Sequence, residues 1–126
     1  MLQRQRVSSG SKWEPLVGYS RAVRVGGIVH VSGTVGVMAD GSVPSDAYGQ
    51  TKRALEIIRG ALEQAGASME DVVRTRIFVT DIRQFEEIAR SHGEVFGTIR
   101  PATTMVEVRR LVDPAYLVEI EAEAMV

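Results

Sequence analysis

The chain has 126 residues, a net charge of −1 and an isoelectric point near 6.1. This length predicts one domain, and the small negative charge argues against a surface built to bind nucleic acid. Cysteine is absent, which excludes disulfides and thiol nucleophiles. Because no apolar run is long enough to cross a bilayer and no secretory signal pattern is present, we expect a cytoplasmic protein without a membrane partner.

The beginning of the chain predicts a lead-in followed by a hairpin. Residues 1–12 are polar, and we expect them to be a loosely held, flexible lead-in to a single domain over residues 1–126. Residues 21–25 and 28–34 are rich in β-branched side chains and flank Gly26-Gly27. Two glycines between two such runs indicate a two-residue hairpin turn.

A helix is predicted next. Asp40-Gly41 marks a second turn. Apolar residues then recur at helical spacing between Tyr48 and Ala65. Gly66 stands where a left-handed C-terminal cap is expected.

The second half predicts strand, helix, strand and strand. Residues 72–80 alternate, with Val73, Thr75, Ile77 and Val79 expected on one face. Asp81 and Gln84 have the spacing of a capping box. The helix that they would open has its inner face at Phe85, Ile88, Ala89, Val95 and Phe96.

Two strands complete the pattern. Pro101 separates the second helix from a strand over residues 103–108. Residues 117–125 alternate so that small and branched apolar side chains share one face, while Glu119, Glu121 and Glu123 share the other. The order of elements predicts an α+β fold in which helices cover one mixed sheet.

Residues 100–108 and 117–122 together resemble the C-terminal signature of the Rid (YjgF-type) family, which hydrolyses reactive enamines and imines. The resemblance runs from about Tyr19 to Ala124. Its further landmarks are Gly18-Tyr19-Ser20, Val31-Ser32-Gly33-Thr34, Gly66-Ala67-Ser68 and Phe78-Val79-Thr80-Asp81. The resemblance implies a chorismate-mutase-like fold, with two helices packed on one face of a mixed sheet. It also implies a homotrimer with intersubunit pockets for a small-molecule ligand, and no cofactor.

The same resemblance implies a set of site residues. Glu119 matches the glutamate that positions or activates the hydrolytic water. Tyr19 and Gly33 match pocket residues, and Thr34 and Met105 are expected to join them in binding the substrate. His92 falls on a helix that borders the pocket in the family, which suggests substrate contact or proton transfer.

Thr103 departs from the family pattern. Active members carry at this position an arginine that grips the substrate carboxylate. Loss of its two charge-assisted hydrogen bonds should cost about 2–5 kcal/mol, so we expect an altered substrate. Arg100 is the candidate to compensate, although three residues of extended chain span about 10 Å.

Three functions follow as hypotheses. The first is hydrolysis of enamine or imine metabolites to carbonyl compounds and ammonia, and the second is a non-catalytic metabolite-binding module on the same scaffold. The third is the endoribonuclease or translation-inhibitor activity reported for some relatives, against which the net charge of −1 argues. With His30 and His92 as the only histidines, no metal site is expected.

Overall fold

Six strands form one mixed sheet in the computed structural model, which describes residues 2–126. The strands are β1 (Arg4–Val7), β2 (Ala22–Val25), β3 (Ile28–Thr34), β4 (Val72–Val79), β5 (Ala102–Glu107) and β6 (Val118–Met125). Their order across the sheet is β1-β2-β3-β6-β4-β5. β4 and β5 run parallel, and all other neighbours are antiparallel.

Helices cover one face of this sheet. The short helix α1 (Trp13–Val17) precedes β2, and the two long helices are α2 (Ala47–Gln64) and α3 (Phe85–Phe96). Leu55, Ile58 and Leu62 of α2 are almost fully buried against the apolar side of the strands. The predicted α+β fold, with two helices on a mixed sheet, is confirmed.

The alternation predicted for the last strand decides what each sheet face contains. Val118, Ile120, Ala122 and Ala124 are buried toward the helices. The intervening glutamates lie on the face without helices, where Arg76 Nη1 pairs with Glu121 Oε1 at 3.0 Å and Glu123 Oε1 at 3.2 Å. The open face is therefore charged, and Glu119 belongs to it.

The hairpin and the helix cap are confirmed. Gly26 has φ 60 in the turn between β2 and β3, and Gly66 has φ 80 just after α2. The N–H of Ala67 donates to the carbonyl of Leu62 at 2.8 Å. This bond closes the helix as a left-handed glycine cap should.

The expectation of a loosely held lead-in is wrong for residues 4–7. Arg4–Val7 is strand β1, paired along its whole length with β2, and Val7 is buried. The loop that follows is fastened by Glu14, whose carboxylate accepts hydrogen bonds from Ser8 Oγ (2.9 Å) and the Ser9 N–H (3.0 Å). The sequence pattern did not predict this strand because three of its four side chains are polar or charged and exposed, as an edge strand allows.

The face assigned to Val73 is also wrong. Val72 pairs with Ala124 and Arg74 pairs with Glu123, so two steps along β4 match one step along β6. This bulge turns Val73 outward, where it is 43% exposed, and brings Val72 into the core at 3% exposure. Thr75, Ile77 and Val79 face inward as predicted.

The start of the second helix differs from the predicted capping box. Asp81 caps a short 3₁₀ turn, Ile82–Gln84, by accepting a hydrogen bond from the Arg83 N–H. The side-chain oxygen of Gln84 is buried without a partner among residues 2–126. Because the extra turn changes where α3 begins, Phe85 is 51% exposed and does not lie on the inner face.

Gln50 connects α2 to the segment that leads into β6. Its side chain is 1% exposed and donates to the carbonyls of Pro44 (2.8 Å) and Ala115 (2.9 Å). Its oxygen accepts the N–H of Leu117 at 2.8 Å. Gln50 thereby fixes the entry of β6, the strand that carries Glu119. In residues 2–126, none of the helices has the length and apolar character of a bilayer-spanning segment.

Candidate functional site

A bulge in β3 brings Gly33 against the side chain of Glu119. Val31 pairs with Ala122 and Thr34 pairs with Ile120, so three steps along β3 match two along β6. A Cβ atom built on Gly33 would lie 3.0 Å from Glu119 Cδ and 3.3 Å from its Cγ, and would clash with Oε2. Glycine is therefore the residue that lets the carboxylate lie over this stretch of backbone.

Glu119 is half-buried on the open face of the sheet, across from Phe78 of β4. Burial raises the pKa of its carboxyl, Arg21 opposes that rise, and Glu121 adds to it. A carboxyl in a partly dry position can serve as a general acid or base. Glu119 is thus chemically suited to the role that the resemblance implies.

Arg21 is the residue of this site that sequence reasoning missed. It lies directly before β2 and is only 7% exposed. Nη1 donates to the carbonyl of Gly33 and to Thr34 Oγ1, each at 2.7 Å, and Nη2 donates to the Tyr19 hydroxyl at 3.1 Å. One signal was available: Ala22 points into the core, so by alternation Arg21 belongs to the Glu119 face.

Tyr19 and Thr34 join this group through the same guanidinium. Tyr19 follows Gly18, which ends α1 with φ 90, and its N–H donates to the carbonyl of Glu14 at 3.0 Å. Thr34 is buried at the end of β3. The structure therefore brings together Tyr19, Gly33, Thr34 and Glu119, four of the predicted site residues.

A second group of predicted site residues lies away from Glu119 in the structure: Thr103, His92 and Met105. Thr103 Oγ1 is 2.8 Å from Thr75 Oγ1, which in turn is 2.9 Å from His92 Nε2. Met105 packs against the helix-covered core. These side chains lie on the helix side of the sheet, whereas Glu119 lies on the open side.

His92 lies in a partly buried environment that disfavours the charged form of its ring. Burial lowers the pKa of His92, and its ring packs on Phe96 with centroids 4.6 Å apart. Within one chain, Nε2 is hydrogen-bonded to Thr75, whose hydroxyl is in turn hydrogen-bonded to Thr103. His92 would therefore act on a ligand only through these two hydroxyls. Thr103 is the exposed end of this series of hydrogen bonds.

Arg100 precedes Pro101 with a positive φ of 56 and is exposed. Its N–H donates to the carbonyl of Phe96 at 2.8 Å. Within the part of the chain that the structure describes, its guanidinium makes no hydrogen bond or ion pair. His30 is also exposed, on β3 opposite Glu123.

Two cavities of the single chain lie away from Tyr19, Gly33, Thr34 and Glu119. A cleft of about 710 Å³ lies between the C-terminal ends of α2 and α3, lined by Arg59, Glu63, Met69 and Ile99 among others. A smaller depression of about 230 Å³ lies on the open sheet face, around His30, Arg76 and Glu123. Over residues 2–126, no cluster of three or more histidine, aspartate or glutamate side chains is arranged to hold a metal ion.

The fold and the grouping around Glu119 define a small α+β protein of the YjgF/Rid class. The family model described as "Endoribonuclease L-PSP" matches residues 10–126. The chain belongs to this family, which includes the YjgF, Rid and RutC proteins. Membership supports a small-molecule-binding, Rid-like protein.

Individual relatives agree with this assignment. Rv2704 from Mycobacterium tuberculosis, a member of the YjgF/YER057c/UK114 family, is 53% identical, with a TM-score of 0.92 over 98% of this chain and 100% of its own. The YjgF gene product of E. coli is 29% identical, with a TM-score of 0.81 over 95% of this chain and 91% of its own. The RutC family protein PYRAB12510 of Pyrococcus abyssi is 37% identical over 88% of each chain.

Proposed function

We propose that the protein hydrolyses reactive enamine or imine metabolites to carbonyl compounds and ammonia, with Glu119 as the group that handles the water proton. The observation that carries the proposal is the half-buried Glu119 carboxyl, seated over Gly33 and raised in pKa by burial. Family membership supplies the class of reaction, and these residues supply a base.

The reaction balances without a cofactor. An enamine first takes a proton on carbon and becomes an iminium ion, the protonated form of the imine. Water then attacks the iminium carbon while Glu119 accepts a proton from it, giving a neutral carbinolamine. Glu119 returns this proton to the nitrogen, the carbon–nitrogen bond breaks and ammonia leaves, and the carbinol hydroxyl loses its proton to become the carbonyl of the product.

We further propose a homotrimer in which two neighbouring chains form each pocket. Support comes from the separation of Thr103 and Glu119 onto opposite faces of one sheet. If both contact the same ligand, they must come from different chains. Tyr19, Gly33, Thr34 and Glu119 would then form one wall, and Thr103, Met105 and Arg100 would belong to the facing chain.

The first experiment measures ammonia release from imines generated in solution by an amino-acid oxidase, alongside imines that lack a carboxylate. We expect Glu119→Ala to abolish hydrolysis while the oligomer and the fold stay intact. Glu123→Ala is the matched control, since it removes a carboxylate from the same face of the same strand. Retained turnover in Glu119→Ala would remove Glu119 from the mechanism.

Thr103→Arg tests the altered substrate range in the same assay. Restoring a guanidinium should favour carboxylate-bearing imines by about 2 kcal/mol, or about thirtyfold in kcat/KM. Thr104→Arg adds the same charge one residue along an exposed strand and should not reproduce the gain. Equal gains from both variants would indicate general charge attraction and not a restored contact.

The second candidate is a binding module without turnover. The observation in its favour is Thr103, whose hydroxyl is bonded to Thr75 and supplies no positive charge for a carboxylate. A small molecule retained in native mass spectrometry, with no hydrolysis of any imine by the parent protein, would favour this alternative.

A further inference from the structure

Arg21 is a buried cation without a carboxylate partner. Its exposure is 7%, and none of the ion pairs formed among residues 2–126 includes it. A buried guanidinium that no carboxylate contacts directly is costly to desolvate. Its presence on the Glu119 face therefore calls for a role other than a surface ion pair.

Its hydrogen bonds all converge on the site. Nη1 donates to the carbonyl of Gly33 and the hydroxyl of Thr34, with a longer contact of 3.4 Å to the carbonyl of Ser32. Nη2 donates to the Tyr19 hydroxyl, and the guanidinium lies 5.4 Å from the centroid of the Tyr19 ring. One planar donor group thus joins the segment that follows α1 to the bulge of β3.

The same guanidinium provides the positive charge that acts on Glu119. It holds the backbone of Gly33, over which the Glu119 side chain lies. The other charged or titratable groups on this side of the sheet include Glu121 and Glu123 of β6, Arg74 and Arg76 of β4, His30 of β3 and Tyr19. Arg76 is paired with Glu121 and Glu123, and Arg74 lies opposite Glu123. Arg21 binds the Gly33 backbone next to the Glu119 carboxyl and is the cation that acts on it.

We infer that Arg21 is the positioning residue of this pocket: it fixes Tyr19, Gly33 and Thr34 in their arrangement and places a permanent positive charge beside Glu119. An arginine guanidinium is a permanent cation in proteins. The catalytic role of Arg21 rests on the proposed hydrolysis, because the Glu119 carboxyl must be ionised to accept a proton from water. Its effect on Glu119 does not depend on turnover.

The test is titration of the Glu119 carboxyl by ¹³C NMR in the parent protein and in three variants. Arg21→Gln removes the charge, and the pKa of Glu119 should rise above that of the parent. Arg21→Lys keeps the charge and should leave the pKa close to the parent value. Arg24→Gln is the matched control, because Arg24 binds the carbonyls of Gly26 and Ala65 away from Glu119 and should cause no shift.

A reciprocal measurement needs no change at Arg21. The guanidinium ¹⁵N resonances of Arg21 should titrate in the parent protein with the same midpoint as Glu119, and should be flat in Glu119→Gln. If Arg21→Gln folds and Glu119 titrates unchanged, or if the parent Arg21 resonances do not respond to Glu119, the inference is overturned. If Arg21→Gln does not fold, the reciprocal titration decides.

An assay of imine hydrolysis distinguishes failure of this inference from failure of the proposed function. If imines are substrates, Arg21→Gln should shift the acidic limb of the pH–rate profile upward. Arg21→Lys should restore that limb but not the full rate, since one ammonium cannot replace the planar set of hydrogen bonds. Linked titration of Arg21 and Glu119 without turnover of any imine would support the inference and contradict the hydrolase proposal.

Discussion

At the scale of single residues, the site depends on the lack of a side chain at Gly33. Gly33 has no Cβ, and the Glu119 carboxyl occupies the space that a Cβ would need. Burial raises the pKa of this carboxyl. A small change at residue 33 should therefore act on the chemistry of residue 119.

The first prediction concerns Gly33→Ala. We expect the new methyl group to push the Glu119 carboxyl aside, so that imine hydrolysis falls sharply and the pKa of Glu119 returns toward its ordinary value of 4.5. Because a flexible side chain can move, the protein should remain folded. Any loss in Tm should shrink when Gly33→Ala is made in a Glu119→Ala background, as for two groups that compete for one space. Equal losses in both backgrounds would place the clash elsewhere.

The amino-acid sequence allowed part of this site to be predicted. Glu119, Gly33 and Tyr19 were expected from the resemblance, and the structure groups them. Arg21 was missed because its role depends on the β3 bulge, which brings the Gly33 carbonyl and Thr34 toward its guanidinium. A bulge adds one residue to one strand, and no period-two pattern reveals it in advance.

At the scale of elements, a second bulge decides which valine of β4 stabilises the core. Val72 and Val73 are adjacent and chemically identical, but one is 3% exposed and the other 43%. A strict alternation that ends on Thr75, Ile77 and Val79 favours Val73 as the inner residue. The register to β6 shows the opposite.

The matched pair Val72→Ala and Val73→Ala tests this bulge. Val72→Ala should lower the free energy of unfolding by about 2 kcal/mol, because it removes buried methyl groups and leaves a cavity. Val73→Ala should change it by less than about 0.5 kcal/mol. Urea denaturation of the two variants checks the prediction, and similar losses in both would show that the bulge is absent in solution.

Elements with strong periodic patterns were predictable, and those defined by pairing alone were not. Helix α2, the Gly26-Gly27 hairpin and the alternating β6 follow from local spacing. Strand β1 is held by its register to β2 and by the Glu14 carboxylate that fastens the next loop. Neither contact leaves a periodic signal in a short polar segment.

At the scale of the whole molecule, two partly buried titratable groups affect stability in opposite directions. The pKa of Glu119 is raised by burial, so its contribution is fully present below its unfolded value of 4.5 and is lost as the pH rises through the folded pKa. The pKa of His92 is lowered by burial, so its contribution is present above 6.5 and is lost as the pH falls toward the folded pKa.

Chemical denaturation between about pH 4 and pH 8 should separate the two groups. Relative to the parent, Glu119→Gln should gain stability as the pH rises above 4.5. Relative to the parent, His92→Gln should gain stability as the pH falls below 6.5, because it lacks the imidazole whose burial opposes protonation. A stability difference between parent and Glu119→Gln that does not change with pH would contradict the burial of the carboxyl.

If Thr103 and Glu119 contact one ligand, the two sides of the sheet also determine how many chains the proposed site requires. Thr103 pairs with Thr75, and Glu119 pairs with Phe78 three residues further along β4. Three residues reverse the face of a strand and advance it by about 10 Å. One chain therefore cannot present both side chains to one small ligand, whereas neighbouring copies in a closed ring can.

Complementation between two inactive variants tests the shared pocket. Glu119→Ala removes the base, and Thr103→Trp fills the space in front of an exposed threonine. Each should be inactive alone. Refolded together in equal amounts, they should form mixed oligomers in which about a quarter of the pockets combine an intact Glu119 with an intact Thr103 from its neighbour.

Recovery of imine hydrolysis to about that fraction, with mixed oligomers verified by native mass spectrometry, would establish a site built from two chains. Mixed oligomers that stay inactive would contradict the two-chain pocket, and an active Thr103→Trp variant would remove Thr103 from it. The experiment distinguishes the chemical role of Glu119 from the assembly of the pocket by two chains, because the two variants have their defects on opposite faces of the sheet.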